Sequence, residues 1–268
     1  MAGMYLAMPV IRKEESQTRR MRKRAFTLIE LLVVMSVTSL LMAVLMPVLA
    51  AARKQSKTIL CLSNLRQLAI AADVYTHDND GYYPVAYTYK VSDAAAISYA
   101  WDFTTIKDWS RNEEAVIPGL LWQGQTIEKI QQCPSFTGAH NWLSDPYTGY
   151  NYNTSYIGHG QVESIETPAK ADQVIKPGNC ALFGDGGYAS GANKFMRAPW
   201  PNPGDLSFND RYAGTQDYRH LGATNVAYCD GSVKSVRTRY TETDKWSKDK
   251  IAQGTGFLSP DNAAYDLK

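Results

Sequence analysis

Arg22-Lys23-Arg24-Ala25-Phe26-Thr27-Leu28-Ile29-Glu30-Leu31-Leu32-Val33-Val34 joins a basic flank to an apolar run that continues to Ala52, with Glu30 its only charge. A run of this length can cross a hydrocarbon layer of ~30 Å as a helix. Between Phe26 and Met46 lie 12 Leu, Ile, Val or Phe residues. At about −0.3 to −0.6 kcal/mol each they contribute roughly −4 to −7 kcal/mol to insertion, and one acid near the end of the run costs less than its central value of ~3 kcal/mol. Insertion is favoured despite Glu30. The cationic cluster between Arg19 and Arg24 is expected to stay cytoplasmic, sending the residues after the helix across the membrane. A secretory signal peptide has an apolar core of ~7–15 residues, much shorter than this one. A plain uncleaved anchor gives no reason for a carboxylate inside the run, because an acid in a membrane helix calls for a partner.

Residues 1–25 carry seven Lys or Arg against Glu14 and Glu15, a charge of +5 within a chain total of +2. The remaining residues sum to −3 and show no basic stripe. Nucleic-acid binding rests on Lys and Arg neutralising phosphates, so no nucleic-acid partner is expected. With 268 residues, 44% of them apolar, the chain accommodates one membrane segment and a globular domain of about 150–190 residues.

Beyond Ala52 the apolar residues become periodic. Ile59, Leu62, Leu65, Leu68, Ala69, Ala72 and Tyr75 recur at helical spacing, with Arg53, Lys54, Lys57, Arg66 and Asp73 between them. One helix is expected to run from the apolar segment to about Tyr75 and stop at Asp78-Asn79-Asp80-Gly81. About 50 residues at 1.5 Å each would span ~75 Å. Pro47 marks a kink in that helix or, alternatively, its end. Asp78 and Asp80 invite a calcium reading, but Thr76 and Tyr87 stand where an EF-hand loop needs acids, which favours a helix-terminating turn.

The stretch from Tyr82 to Pro168, rich in Tyr, Trp, Gly and Asn, reads as long loops with short strands. Its aromatics either close an irregular core or form a glycan-binding face. Cys180-Ala181-Leu182-Phe183 reads as a strand ended by Gly184-Asp185-Gly186-Gly187. The runs Asn225–Cys229 and Ser232–Val236 flank Asp230-Gly231, the signal of a hairpin with a two-residue turn. The expected fold class is α+β, a long N-terminal helix packed on an antiparallel sheet head with long loops. The expected divisions are a basic leader (1–25), a transmembrane helix (26–52), an amphipathic stalk (53–76) and a head (77–268).

Cys61, Cys133, Cys180 and Cys229 lie far apart, with no Cys-x-x-Cys pair and no His at zinc-finger spacing, so a structural zinc site is not expected. If the head lies outside the cytoplasm, one or two disulfides are open to these cysteines, and spacing does not choose among the pairings. Buried unpaired cysteine is the alternative.

The segment from Arg22 to Val34 resembles the cleavage and methylation signal of type IV pilins and type II secretion pseudopilins. The resemblance implies cleavage between Ala25 and Phe26 by a prepilin peptidase, which also methylates the new amino group of Phe26. Ala25 stands where most relatives have Gly. Glu30 falls at the fifth mature position, where the resemblance implies a pair with the N-terminal amine of a neighbouring subunit, and Pro47 lies where pilin helices often carry a proline. Translation from Met21 would shorten the leader to Met21–Ala25.

His220, followed nine residues later by Asp230-Gly231, resembles the His-X9-Asp-Gly domain described as prepilin-processing-associated. The stretches beginning at Cys61, Cys133, Tyr150 and Gly256 agree with that domain. The likeness covers most of residues 25–268, and the family's name records co-occurrence with the leader rather than an activity.

The function expected from these features is structural: a pseudopilin-like subunit in the bacterial inner membrane, with its N-terminus cytoplasmic and its head periplasmic. It would be assembled with other pseudopilin subunits in an envelope filament, without enzymatic activity, metal or cofactor. The alternative is a membrane-anchored periplasmic domain that binds a ligand or performs metal-dependent hydrolysis, with His220, Asp185 and Asp230 as metal ligands or an acid–base pair. In the simpler reading, Asp230-Gly231 makes the turn and His220 fixes a loop by hydrogen bonding.

Overall fold

The computed structural model describes residues 26–122, 128–140, 145–161, 164–188, 191–206, 214–245 and 248–268. The leader, including Ala25 and Met21, lies outside the described residues. The chain divides into two units, residues 1–48 and residues 49–268.

Helix α1 (Leu28–Asp78) begins in the first unit and ends in the second. Its first turn is capped locally. The Thr27 N–H and hydroxyl donate to Glu30 Oε2 at 2.8 and 2.9 Å, and the Glu30 N–H donates to Thr27 Oγ1 at 3.2 Å. This is a capping box, which satisfies donors that the helix start would otherwise leave open. Every residue from Phe26 to Lys57 is exposed. Among the described residues, α1 is the helix long and apolar enough to cross a membrane. Pro47 lies inside it, so the helix does not end there. Proline has no N–H to give, and the helix continues past that missing donor.

The buried face of α1 consists of Thr58, Cys61, Asn64, Leu65, Leu68, Ala69, Ala72 and Thr76. This corrects the stripe drawn from apolar residues alone, because Ile59 is 59% exposed while Thr58 and Cys61 turn inward. The helix is rotated by its polar contacts: Thr58 meets His220, and the Asn64 side-chain amide donates to the Gln132 carbonyl at 3.3 Å. The helix stops as expected near Asp78. Asp80 takes a positive φ of 52°, and the Gly81 N–H donates to the Thr76 carbonyl at 2.9 Å. That bond closes the last turn in the manner of a Schellman cap.

The segment after the helix is more regular than its composition suggests. Strands β1 (Tyr87–Val91), β2 (Ala95–Ala100), β3 (Phe103–Asp108) and β4 (Glu113–Pro118) form an antiparallel meander in sequence order. Six further strands are β5 (Tyr150–Asn153), β6 (Ala181–Gly187), β7 (Phe195–Met196), β8 (Thr215–Asp217), β9 (Thr224–Tyr228) and β10 (Val233–Val236). With β11 (Thr255–Gly256) they make a second sheet ordered β10-β9-β6-β5-β7, in which β8 also pairs with β6 and with β11. Its pairings are antiparallel except β5 with β7.

Strand β6 runs through Gly184-Asp185-Gly186-Gly187 instead of ending there. The glycines admit neighbours at close range. A Cβ on Gly186 would meet the Asn193 carbonyl oxygen at 2.5 Å, and one on Gly187 would meet Asp217 Cβ at 2.6 Å. Glycine here signals close approach rather than a break.

The hairpin around Asp230-Gly231 forms, with a different turn. Tyr228 N–H donates to the Ser232 carbonyl and Gly231 N–H to the Tyr228 carbonyl, giving a loop of Cys229, Asp230 and Gly231 in which Gly231 has φ 75°. A turn followed by a left-handed residue is the usual three-residue hairpin loop. The two-residue turn with both central residues at positive φ occurs earlier, at Leu221 (φ 55°) and Gly222 (φ 77°), between His220 and Ala223.

The core joins α1 to both sheets. The rings of Trp101, Tyr152 and Phe183 pack together with centroids 5.1–5.7 Å apart, Tyr152 stacked on Phe183 and Trp101 tilted against both. Beside them Lys194, 1% exposed, places its ammonium 2.8 Å from Asp102 and 3.0 Å from Asp145. The Lys194 carbonyl accepts from Trp101 Nε1 and from the Tyr152 N–H, so this residue ties the meander to the second sheet. Replacing Lys194 by Met removes the cation from two buried carboxylates and is expected to destabilise the head by about 3–5 kcal/mol, measured by urea unfolding.

Candidate functional site

Asp185 sits in β6 with no solvent exposure. Its Oδ2 accepts the Asn225 N–H of β9 at 2.7 Å, which turns Oδ1 toward three other side chains. Cys61 Sγ of α1 lies 3.3 Å from Oδ1, Cys133 Sγ 3.6 Å, and His220 Nε2 3.3 Å. Cys133 Sγ and His220 Nε2 are 3.5 Å apart. One donor atom from each of these four buried residues lies within 4.8 Å of every other.

Each residue arrives by a different route. Cys61 comes from the inward face of α1, and Asp185 from the strand that the glycines allow to pack tightly. Cys133 follows a short 3-10 turn (Glu128–Gln131), its N–H donating to the Thr148 carbonyl at 3.1 Å. Gly149, at φ 123°, leaves room for it, since a Cβ there would come 2.5 Å from Cys133 Cβ. His220 is set by the turn at Leu221-Gly222. A left-handed leucine is unfavourable in isolation, and such residues concentrate where a side chain must be aimed.

A further shell surrounds the four. Arg219 donates from Nε to Cys133 Sγ at 3.2 Å and lies 3.3 Å from Asp185 Oδ1. It also donates to the Gly149 carbonyl and pairs with Asp217 at 2.7 Å. His220 Nδ1 faces Thr58 Oγ1 at 3.4 Å, and that hydroxyl donates to the Lys54 carbonyl at 3.1 Å. With its proton so committed, Thr58 Oγ1 accepts from Nδ1–H, and Nε2 faces the cluster.

The charges are mutually dependent. Burial works against the ionised form of Asp185, but Arg219, His220 and the Asn225 N–H outweigh it and hold the carboxyl below its usual range. Burial likewise opposes charge on His220, yet Asp185 and Cys133 raise it to about 9. Burial also opposes the Cys133 thiolate, but Cys61, Arg219 and His220 together lower it to about 5. Cys61 is pushed up by burial, by Cys133 and by the Asp185 charge. A low-lying thiol beside an imidazole suits a nucleophile, but both residues are at most 2% exposed. A cleft of about 730 Å³, lined by Tyr82, Tyr156, His159 and Lys170 among others, includes none of the four.

Of the residues singled out from the sequence, His220 and Asp185 meet and Asp230 does not join them. The Asp230 carboxylate accepts the Ser232 N–H at 2.8 Å within the β9–β10 loop. His220 and Asp230-Gly231 thus serve separate turns, which leaves Asp230 outside the alternative set of His220, Asp185 and Asp230. Cys61 and Cys133 were missed as partners of His220, since their ligand-like arrangement has no sequence spacing. The four cysteines are free and fall into neighbouring pairs, Cys61 with Cys133 and Cys180 with Cys229.

The other functional feature is the N-terminal segment with its capped helix start. Residues 20–46 match the family model of the prokaryotic N-terminal methylation motif. No curated protein and no solved structure matches the chain. The methylation motif includes Ala25, Phe26 and Glu30, and it precedes and overlaps the apolar part of α1. Motif, apolar helix and sheet head together make a pilin-like architecture, and the motif supports a processed, membrane-anchored subunit.

A double-mutant cycle separates the two halves of the His-X9-Asp-Gly pattern. His220→Gln with Asp185→Asn should show a coupling energy of about 0.5–3 kcal/mol, whereas His220→Gln with Asp230→Ala should be additive to within ~0.5 kcal/mol. Urea unfolding of the three single and two double variants checks it.

Proposed function

We propose that the protein is a structural subunit of a pseudopilin or type IV pilin-like envelope assembly, with no enzymatic role of its own. In this reading a prepilin peptidase cleaves between Ala25 and Phe26 and methylates Phe26. The apolar part of α1 then holds the subunit in the inner membrane, with the head on the periplasmic side, until it packs against other subunits. The match of residues 20–46 to the methylation motif carries the proposal.

A feature of α1 supports helix-to-helix packing. Ile59, Leu60, Ile70 and Val74 are 50–59% exposed and, at 100° per residue, form a band opposite the buried face. Ser56, Ser63 and Gln67 lie exposed on the same face, so the band is apolar in part. The occupant proposed for this band is the helix of a second pilin-like subunit. Glu30 fits the same reading, because the carboxylate that caps its own helix is placed at the helix end, within reach of an incoming amine.

Mass spectrometry of the chain extracted from membranes of its bacterial host tests the processing step. The expected N-terminus is methylated Phe26, and loss of the prepilin peptidase should leave the precursor intact. An unprocessed leader in the presence of the peptidase would sink the assembly reading. Glu30→Val should leave membrane insertion intact while reducing cross-linked subunit ladders at least several-fold, scored by membrane fractionation and cysteine cross-linking along α1.

A further inference from the structure

We propose that Cys61, Cys133, Asp185 and His220 form a tetrahedral transition-metal site, with zinc(II) as the ion the donor set favours. The distances carry the argument. Zinc binds thiolate sulfur at about 2.3 Å and imidazole nitrogen or carboxylate oxygen at about 2.0–2.2 Å, so neighbouring ligands of a tetrahedral site stand roughly 3.3–3.7 Å apart. The observed separations are 3.3 Å for Cys61 Sγ to Asp185 Oδ1, 3.6 Å for Cys133 Sγ to Asp185 Oδ1, 3.5 Å for Cys133 Sγ to His220 Nε2 and 3.3 Å for His220 Nε2 to Asp185 Oδ1. All pairs among the four donor atoms lie within 4.8 Å, and hydrophobic burial alone gives them no reason to converge.

The surroundings fit the same ion. A ligating histidine usually gives its other N–H to an oxygen, and His220 gives Nδ1–H to Thr58 Oγ1. The Asp185 carboxylate is oriented through its second oxygen by the Asn225 N–H. Two thiolates and one carboxylate around a dication leave one negative charge, and the Arg219 guanidinium, in contact with both Cys133 and Asp185, balances it. Binding requires both cysteines as thiolates and His220 as neutral imidazole, so it releases the protons these groups still carry and leaves the oxidation state of the metal unchanged. Two sulfurs, one nitrogen and one oxygen suit a borderline-soft ion, while calcium and magnesium prefer all-oxygen shells.

Four protein ligands in a buried pocket make a structural site, without the open position that a catalytic zinc keeps. Its ligands come from α1, the loop ahead of β5, strand β6 and the turn ahead of β9. The ion would fasten the head-side half of α1 to the sheet that carries Asp185. Folding of the head outside the cytoplasm would then depend on metal supply, and the site would compete with formation of a Cys61–Cys133 disulfide.

The test uses the full chain in mild detergent. Purified protein should hold close to one equivalent of zinc by elemental mass spectrometry after dialysis. Protein stripped with chelator under thiol reductant should take up cobalt(II) with a thiolate-to-cobalt charge-transfer band and the strong visible bands of a tetrahedral ion, and zinc should displace it. Cys61→Ser, Cys133→Ser and His220→Gln should each lose the charge-transfer intensity or the uptake. Thr58→Val should weaken zinc affinity about 10–100-fold while keeping the spectrum. Asp230→Ala and the Cys180→Ser/Cys229→Ser double variant should leave both unchanged. The wild-type cobalt spectrum depends on no variant folding. A reduced wild-type chain that takes up cobalt without these bands, or takes up none, overturns the proposal. So does native protein that holds no transition metal and whose Cys61 and Cys133 are joined to each other.

Discussion

A carboxylate removed from water must be met by charge or hydrogen bonds, and Asp185 is removed from it completely. Much of the head is arranged to satisfy it. Strand β9 supplies the Asn225 N–H, the segment after β8 supplies Arg219 and His220, and α1 supplies Cys61. Arg219, its side chain largely covered, passes the constraint on, to Asp217, to the Gly149 carbonyl and to Cys133. The glycines beside Asp185 follow from the same demand, since strands can close around it only where no Cβ intervenes.

Helix α1 answers to different surroundings along its length. Its first half is exposed and predominantly apolar, with its one acid tied into the first turn by Thr27. Its second half turns Thr58, Cys61 and Asn64 inward beside Leu65 and Leu68, so the buried face is partly polar. These three tolerate burial because each has a partner, whereas Ile59 and Leu60 remain outside despite being more hydrophobic. Burial is decided by what the facing surface offers, and here that surface offers a histidine, a carboxylate and a carbonyl.

The local features were legible in the chain. The length and composition of the Phe26–Ala52 run announced the apolar helix, Asp78-Asn79-Asp80-Gly81 announced its end, and alternation around Asp230-Gly231 announced a hairpin. Turn details were less so. Asp230-Gly231 carries the stronger turn signal, yet the two-residue turn formed at Leu221-Gly222, where tertiary packing holds a leucine at positive φ. The β1–β4 meander was hidden because its strands are half exposed and aromatic residues blurred their alternation.

The sequence by itself determined the apolar N-terminal helix, its amphipathic continuation and the α+β class, because each is written in the spacing of neighbouring residues. Only the tertiary structure decided which face of α1 is buried, that β6 passes through its glycines, and that His220 meets Cys61, Cys133 and Asp185 rather than Asp230. The reason is physical. Helix and turn propensities act over a few residues, while the cluster joins positions 35 to 124 residues apart among its contacts, and such a meeting leaves no periodic trace in the chain.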